Sequence, residues 1–254
     1  MTLHEPDYTL VVACLNEEEA LPHLFPEVDR LRSMSREKGL AVEVVFVNDG
    51  STDGTASLLA GRAGANPLCR VATHDENRGF GAALRTGIDT ATAPIVVSYD
   101  ADATYPIEDV IRLLDGLADA DAAGATPFAE DGGADSASPF RRFLSRGVVI
   151  LYRLAVGKRA KGITVFTCAF RAYRREALAR ARHESDDFLA AAEILCLLLL
   201  DGARVVEVPS KLSARRHGQS KMRVVRTALG HLVLATRVRL RLGRFGKTAD
   251  GGRA

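Results

Sequence analysis

The sequence predicts an α/β fold, a mostly parallel sheet flanked by helices, and three observations lead there. Short β-branched apolar runs alternate with longer segments of helical period through the first half of the chain. Clusters of Asn, Asp, Gly and Ser follow several of those runs directly. The composition, 47% hydrophobic and 26% charged over 254 residues, is that of an ordinary globular domain. That length holds one large α/β domain with a well-buried core, or a smaller one with an appendage.

Thr9–Leu15 and Val42–Val47 are apolar runs of the kind buried on both faces of a parallel sheet. Between them, Glu17–Lys38 carries Leu21, Leu24, Phe25, Val28 and Leu31 at helical spacing. A helix over Thr55–Ala63, a strand at Cys69–Thr73, a helix over Phe80–Thr90 and a strand at Pro94–Tyr99 follow. Ile107–Leu117 reads as a helix and Ala122–Thr126 as a weak strand. Such alternation indicates βαβ units with right-handed crossovers. The pattern breaks at Ala129–Ser138, an acidic loop rich in Gly and Ser. Phe140–Val156 then reads as an amphipathic helix bearing Arg141, Arg142, Arg146 and Arg153. A strand-like stretch at Thr164–Tyr173, a helix around Asp187–Leu200 and a strand at Arg204–Pro209 complete a domain over residues 1–210.

Residues 211–254 form a basic tail. Twelve Lys and Arg stand there against Asp250 alone, a formal +11 within a chain of net +2. An excess of that size points to an anionic partner or to a solvated terminus. Val224, Val225, Leu229, Leu232, Val233 and Thr236 recur at helical spacing among Arg223, Arg226, Arg237 and Arg239. That pattern suits a helix in an anionic headgroup layer, or equally one packed on the domain. No apolar run approaches the roughly 20 residues that span a bilayer. The acidic opening MTLHEPDYTL predicts no secretory signal, so a cytoplasmic protein, peripheral at the inner membrane face, is expected. Cys14, Cys69, Cys168 and Cys196 form no C-x-x-C pair and are expected as buried free thiols.

In open parallel sheets ligands bind outside the carboxyl ends of the strands. Three polar clusters lie at such ends: Asn16-Glu17, Asn48-Asp49-Gly50-Ser51 and Asp100-Ala101-Asp102. Each alone is also ordinary turn and N-cap chemistry, Ser51 and Asp53 especially. Together they converge on one crevice. Asp100 and Asp102 crowd two carboxylates at a strand end, which a cation between them would relieve, although a pair of exposed turn aspartates reads the same way. Hard oxygen ligands suit Mg²⁺ or Mn²⁺, an ion commonly completed by substrate phosphates. Asn77-Arg78-Gly79-Phe80-Gly81 opens a helix, its glycines admitting a ligand or a neighbouring strand. It lacks the full dinucleotide fingerprint, and no complete Gly-x-x-x-x-Gly-Lys-Ser/Thr phosphate loop occurs, which disfavours a dehydrogenase and a P-loop enzyme.

VVACLNEEE, FVNDGSTDGT, ENRGFGAALRTGI and SYDADATYP resemble the family 2 glycosyltransferases of the GT-A fold. FRAYRREAL and EVPSKLSARRHGQSK narrow the resemblance to the polyprenyl-phosphate glycosyltransferases, the group of dolichol-phosphate mannose synthases. The resemblance implies that Glu17 and Asp49 contact the nucleoside, and that Asp100 and Asp102 are the acidic motif, with Asp102 the surest metal ligand. It implies that Arg215, Ser220 and Lys221 close over the donor diphosphate and acceptor phosphate, with Arg171 a further phosphate contact. Phe140–Val156 becomes the amphipathic helix near the lipid. Glu193 sits where the family carries an acid, and from its apolar surroundings it reads either as a catalytic group or as a paired core carboxylate.

The chain departs from the family pattern at several positions. Val165 stands in place of an aspartate, Ala169 of a glycine, Thr104 of a glutamine and Ala13 of a proline. These bear on donor sugar and acceptor rather than on the nucleotide diphosphate. The expectation is thus a metal-dependent inverting transfer of a hexose from a GDP- or UDP-sugar to polyprenyl phosphate. A transferase with a soluble acceptor and a non-catalytic nucleotide-binding module are the alternatives. Nucleic acid is not expected as a partner, because Phe245 is the only aromatic residue in the tail.

Overall fold

The computed structural model describes residues 5–64, 68–128, 133, 139–213 and 224–250. Seven strands form one sheet: β1 (Tyr8–Cys14), β2 (Val42–Asp49), β3 (Cys69–His74), β4 (Ile95–Asp100), β5 (Ala122–Thr126), β6 (Arg171–Arg174) and β7 (Val205–Pro209). Their order is β3-β2-β1-β4-β6-β5-β7, and every pairing is parallel except those of β6 with β4 and β5. The chain winds from β1 outward to β3 and then returns to place β4 on the other side of β1. A switch point therefore opens between β1 and β4 at their carboxyl ends.

The core follows from period-two alternation. Leu10, Val12, Val44 and Phe46 point to one face of the sheet, where they meet Leu21, Leu24, Val28 and Leu31 of α1 (Leu21–Glu37). Val11, Val45 and Val47 point to the other, against Ala83 and Leu84 of α3 (Phe80–Thr90). Gly87 is the point of closest approach there, since a Cβ would stand 2.2 Å from Val11 Cγ1. Helices α2 (Thr55–Gly64) and α4 (Asp109–Gly116) join α1 on its face, through Leu59 and through Val110, Ile111 and Leu113.

A separate apolar layer is built from helices. In α7 (Ala190–Asp201) nearly every side chain is buried, as befits a helix that is apolar all round. Its Leu195, Cys196 and Leu199 pack with Tyr152, Ala155 and Val156 of α5 (Pro139–Val156) and with Leu234, Ala235 and Val238 of α8 (Val224–Asp250). Gly230 lets α8 come close, its would-be Cβ lying 2.7 Å from Leu189 Cδ1. The four cysteines are free and buried, and burial pushes the Cys14 and Cys196 thiols up, which keeps them protonated and inert.

Two expectations are corrected. Of Thr164–Tyr173 only Arg171–Arg174 is strand, with a short helix α6 (Arg175–Arg180) directly after it. The amides of Thr164 and Val165 donate to the Glu207 carboxylate at 2.8–3.0 Å, so the start of this stretch pairs with a side chain rather than a neighbouring strand. The first helix starts at Leu21 rather than Glu17, because residues 17–20 form a turn in which the Glu17 carbonyl accepts from the amides of Ala20 and Leu21. The loop at Ala129–Ser138 lies, Gly133 apart, outside the described residues.

Candidate active site

Strand register fixes the site. Cys14 pairs with Asn48 and Ala13 with Asp100, so the residues that follow β1, β2 and β4 leave the sheet side by side. Adjacent strands lie about 4.8 Å apart, which brings the three polar clusters to one edge.

The loops after β1 and β2 are stitched together. Asn16, at φ +50°, is in the left-handed region that asparagine tolerates. Its Oδ1 accepts from the Thr52 amide at 2.8 Å, while its own amide donates to Ser51 Oγ at 3.0 Å. The Glu17 amide donates to Thr55 Oγ1 at 2.8 Å. Asp53 accepts from the amides of Thr55 and Glu18, and Glu18 in turn accepts from the Gly54 amide. Ser51 and Asp53 thus act as turn and helix-start residues.

Asp49 lies beneath this surface, its side chain 3% exposed. Its Oδ1 accepts from His74 Nδ1 at 2.6 Å and from the Arg78 amide at 2.9 Å, and Oδ2 accepts from the Gly79 amide at 2.8 Å. Asn77 Oδ1 also accepts from that amide at 3.0 Å. In this geometry the Asp49 carboxylate shapes the 77–79 loop. Because a carboxylate only accepts, His74 Nδ1 carries the proton toward it, and Nε2 meets Thr86 Oγ1 at 2.9 Å. Gly50 (φ +66°) presses against this loop, and a Cβ there would lie 2.2 Å from the Glu76 carbonyl carbon. Gly79 (φ +97°) would place a Cβ 2.3 Å from the Asp186 carbonyl oxygen, which accepts from the Gly81 amide at 2.7 Å. The glycines of this motif therefore admit the backbone of the 185–186 segment, which is a loop rather than the expected ligand or neighbouring strand.

Asp100 ends β4, half-buried, and Ala101 is buried in the core. Ala103 adopts φ +47°, a tight turn that leaves Asp102 half-buried with its Oδ1 accepting from the Thr104 amide at 3.3 Å. The Thr104 carbonyl accepts from the Ser213 amide at 2.9 Å, so the chain leading to residue 214 passes beside the acidic turn. Arg215, Ser220 and Lys221 lie outside the described residues.

Two further expected site residues are engaged inside the fold. Arg171 is 1% exposed, and its guanidinium donates to the carbonyls of Ala191, Val165 and Phe166 at 2.8–3.1 Å. It is a bolt between the sheet, α7 and the 165–166 segment, with no surface for a phosphate. Glu193 is buried and its Oε2 accepts from the amides of Glu184 and Ser185 at 3.1 and 2.8 Å. That is the geometry of a paired core carboxylate, and it holds the segment that meets Gly79 and Gly81. Sequence reasoning missed His74 and the 185–186 segment. His74 stands at a strand end like the clusters that were found, whereas residues 185 and 186 act through carbonyls and leave no side-chain signal.

Residues 9–181 match the description of glycosyl transferase family 2. The chain is 33% identical over 227 residues to an undecaprenyl-phosphate 4-deoxy-4-formamido-L-arabinose transferase of Pseudomonas paraeruginosa, covering 86% of this chain and 61% of that protein. It is 32% identical over 222 residues to a polyprenol monophosphomannose synthase of Mycolicibacterium smegmatis, covering 84% and 80%. Against several of these curated relatives it spans between about a third and three-fifths of their length. The fold is similar to that of glucosyl-3-phosphoglycerate synthase from Mycobacterium tuberculosis in complex with Mn²⁺, UDP and glucosyl-3-phosphoglycerate (TM-score 0.66, 17% identity, 92% of this chain and 80% of that one). It is also similar to a mannosyltransferase from Pyrobaculum calidifontis in complex with GDP-Man and Mn²⁺ (TM-score 0.60, 20% identity, 99% and 77%). With its strand-end acidic turn, its mostly parallel seven-stranded sheet of GT-A type and this match over two-thirds of its length, the chain belongs to glycosyl transferase family 2.

Proposed function

We propose that this chain transfers a hexose from a GDP- or UDP-sugar to a polyprenyl phosphate, inverting the anomeric centre by in-line displacement. The observation that carries the reading is the shared strand edge that joins Asn16, the 77–79 loop and Asp100-Ala101-Asp102. The acceptor class rests on the names of the curated relatives.

The acidic turn fits a divalent cation, Mg²⁺ or Mn²⁺. Among the described residues no group of three or more His, Cys, Asp or Glu is arranged to cage an ion. Asp102 and Asp100, two carboxylates at an open strand end, instead suit an ion whose other ligands are phosphate oxygens. Such an ion, when bound, neutralises the charge that builds on the departing nucleoside diphosphate.

The chain's own residues do the positioning. Asn16, Glu17 and Gly50 line the nucleotide end of the edge, and Asn77 and Gly79 form its wall. Arg215, Ser220 and Lys221 contribute charge-assisted hydrogen bonds to phosphates. A phosphate acceptor is already ionised at neutral pH, with a second pKa of about 6, and needs no general base. That agrees with a Glu193 engaged by two backbone amides.

The helical layer supplies the lipid side. Ile150 and Leu154 of α5 and Leu229, Leu232, Val233 and Leu240 of α8 are each more than half exposed. On α8 these four lie opposite Leu234, Ala235 and Val238, with exposed Arg237 and Arg239 at their flanks. No described helix is long and apolar enough to cross a membrane. An apolar face edged with arginine suits docking on an anionic headgroup layer, each basic residue adding about 1 kcal/mol.

Incubation with polyprenyl phosphate, Mn²⁺ or Mg²⁺ and a panel of sugar nucleotides tests the reading. A sugar–lipid product is expected. Glycosylation of a soluble hydroxyl acceptor, with no lipid product from any donor, overturns the acceptor class. Co-sedimentation with anionic vesicles is expected, and its loss in Leu232→Asn/Val233→Asn without a change in Tm locates the membrane face on α8.

A further inference from the structure

A cleft of about 210 Å³ opens between α3 and α6, at the far end of the sheet from the acidic turn. The Arg175 amide donates to the Pro94 carbonyl at 2.9 Å, just ahead of β4, which fixes the cleft at the amino end of that strand. Three guanidiniums, those of Arg85, Arg175 and Arg182, line it, with Asp89 the one lining carboxylate and Ile88 and Leu178 among its apolar walls.

The cations differ in how they are compensated. Arg182 Nη2 pairs with Asp89 Oδ1 at 3.1 Å, and both side chains are more than half exposed, an ion pair that solvent screens to little net strength. Arg85 pairs with Asp186 outside the cleft and also donates to the His183 carbonyl at 2.9 Å. Arg175 is half-buried, and its guanidinium makes no hydrogen bond or ion pair among the described residues. Burial lowers the His183 pKa and so favours its neutral form, outweighing the opposing hydrogen bond from Nε2 to the Gly81 carbonyl at 2.9 Å. The cleft thus keeps an uncompensated positive charge in a concave, partly apolar setting, where field lines are focused.

We propose that this cleft is a binding site for a small phosphorylated anion, held by Arg175 and Arg182 and separate from the transferase site. The volume gives room for a phosphomonoester between Arg175 and Arg182. Guanidinium forks match phosphate oxygens two at a time, and Arg182 can turn from its exposed pair with Asp89 to do so. The wall of this site also supports the donor edge: Arg85 and His183 hold the segment whose Asp186 carbonyl caps α3 beside Gly79. An anion bound here therefore touches the same segment as the 77–79 loop without entering the strand-end crevice.

The test is residue-resolved and does not depend on transferase activity. Arginine Nε–Hε resonances of the full chain are followed by NMR during titration with inorganic phosphate and, separately, with methyl phosphate, each against sodium chloride at equal ionic strength. Saturable shifts at Arg175 and Arg182 are expected, with affinity about tenfold weaker in Arg175→Ala and in Arg182→Ala. Unchanged amide spectra away from the cleft show that both variants fold. Tighter binding of methyl phosphate identifies a phosphomonoester as the ligand, and equal binding identifies phosphate itself. Shifts no larger than those from chloride, or affinities unchanged in both variants, overturn the proposal.

Discussion

At the carboxyl edge of β1, β2 and β4, backbone amides meet side-chain oxygens again and again: Thr52 with Asn16, Gly54 with Glu18, Arg78 and Gly79 with Asp49. In the layer of α5, α7 and α8 the contacts are apolar, and polar links are few, such as Tyr152 OH with His231 Nδ1 at 2.7 Å. The first region holds loops in fixed shapes by directional bonds, which is how a charged ligand is met without reorganisation. The second is held by non-directional burial and keeps apolar surface outward as well as inward. The difference matches the two substrates proposed for the chain, a polar nucleotide sugar on one side and a lipid on the other.

The largest expected effect falls on chemistry alone. Asp102→Asn should lower transfer by about 10²–10³-fold while leaving Tm within a degree or two, because asparagine keeps a side-chain oxygen for the Thr104 amide. A Tm drop of more than that in thermal unfolding would break the contrast between edge and layer. Gly50→Ala should do the reverse and cost about 3 kcal/mol of stability, since the new Cβ meets backbone at 2.2 Å and the φ is positive. Denaturant unfolding of the purified variant measures it.

Arg171→Leu sharpens the boundary between the regions. Removing the guanidinium leaves the carbonyls of Ala191, Val165 and Phe166 without their donors, at a cost of about 2–3 kcal/mol. The KM for the sugar nucleotide should stay within about twofold of wild type. A selective rise in KM at unchanged Tm would restore Arg171 as a phosphate ligand.

The smallest effect is a pH dependence in the helical layer. Burial lowers the His231 pKa below its ordinary 6.5, with Asp187 opposing weakly, so the folded state binds the proton less readily than the unfolded chain. The contribution of that neutral imidazole is complete above pH 6.5 and is lost as pH falls below it. Chemical denaturation between pH 7.5 and 5.5 should show this loss, and His231→Gln should flatten it.

Most of the fold was legible because its signals are local. β-branched runs such as Val42–Val47 and the leucine stripe of α1 carry their period in consecutive residues, and strand-end polarity marked the edge. What was not legible depended on distant partners. An arginine after an apolar run looks the same whether it awaits a phosphate or three carbonyls, and only the approach of α7 decided it for Arg171. Glu193 offered two readings until the Glu184 and Ser185 amides arrived. In α8 the period was visible but its direction was not: Leu229, Leu232, Val233 and Thr236 face outward, and Leu234, Ala235 and Val238 do the packing.

The meeting of Gly79 and Gly81 with the carbonyls of Asp186 and Ser185 has a consequence for how this chain can vary over evolutionary time. A carbonyl is present whatever the residue, so position 185 is free to drift in identity as long as its backbone stays in place. Length is another matter. An insertion or deletion between His183 and Leu189 would shift the carbonyl that caps α3, and with it a loop a hundred residues earlier in the chain. Descendants of this sequence should preserve the count of residues in that segment more faithfully than their kinds.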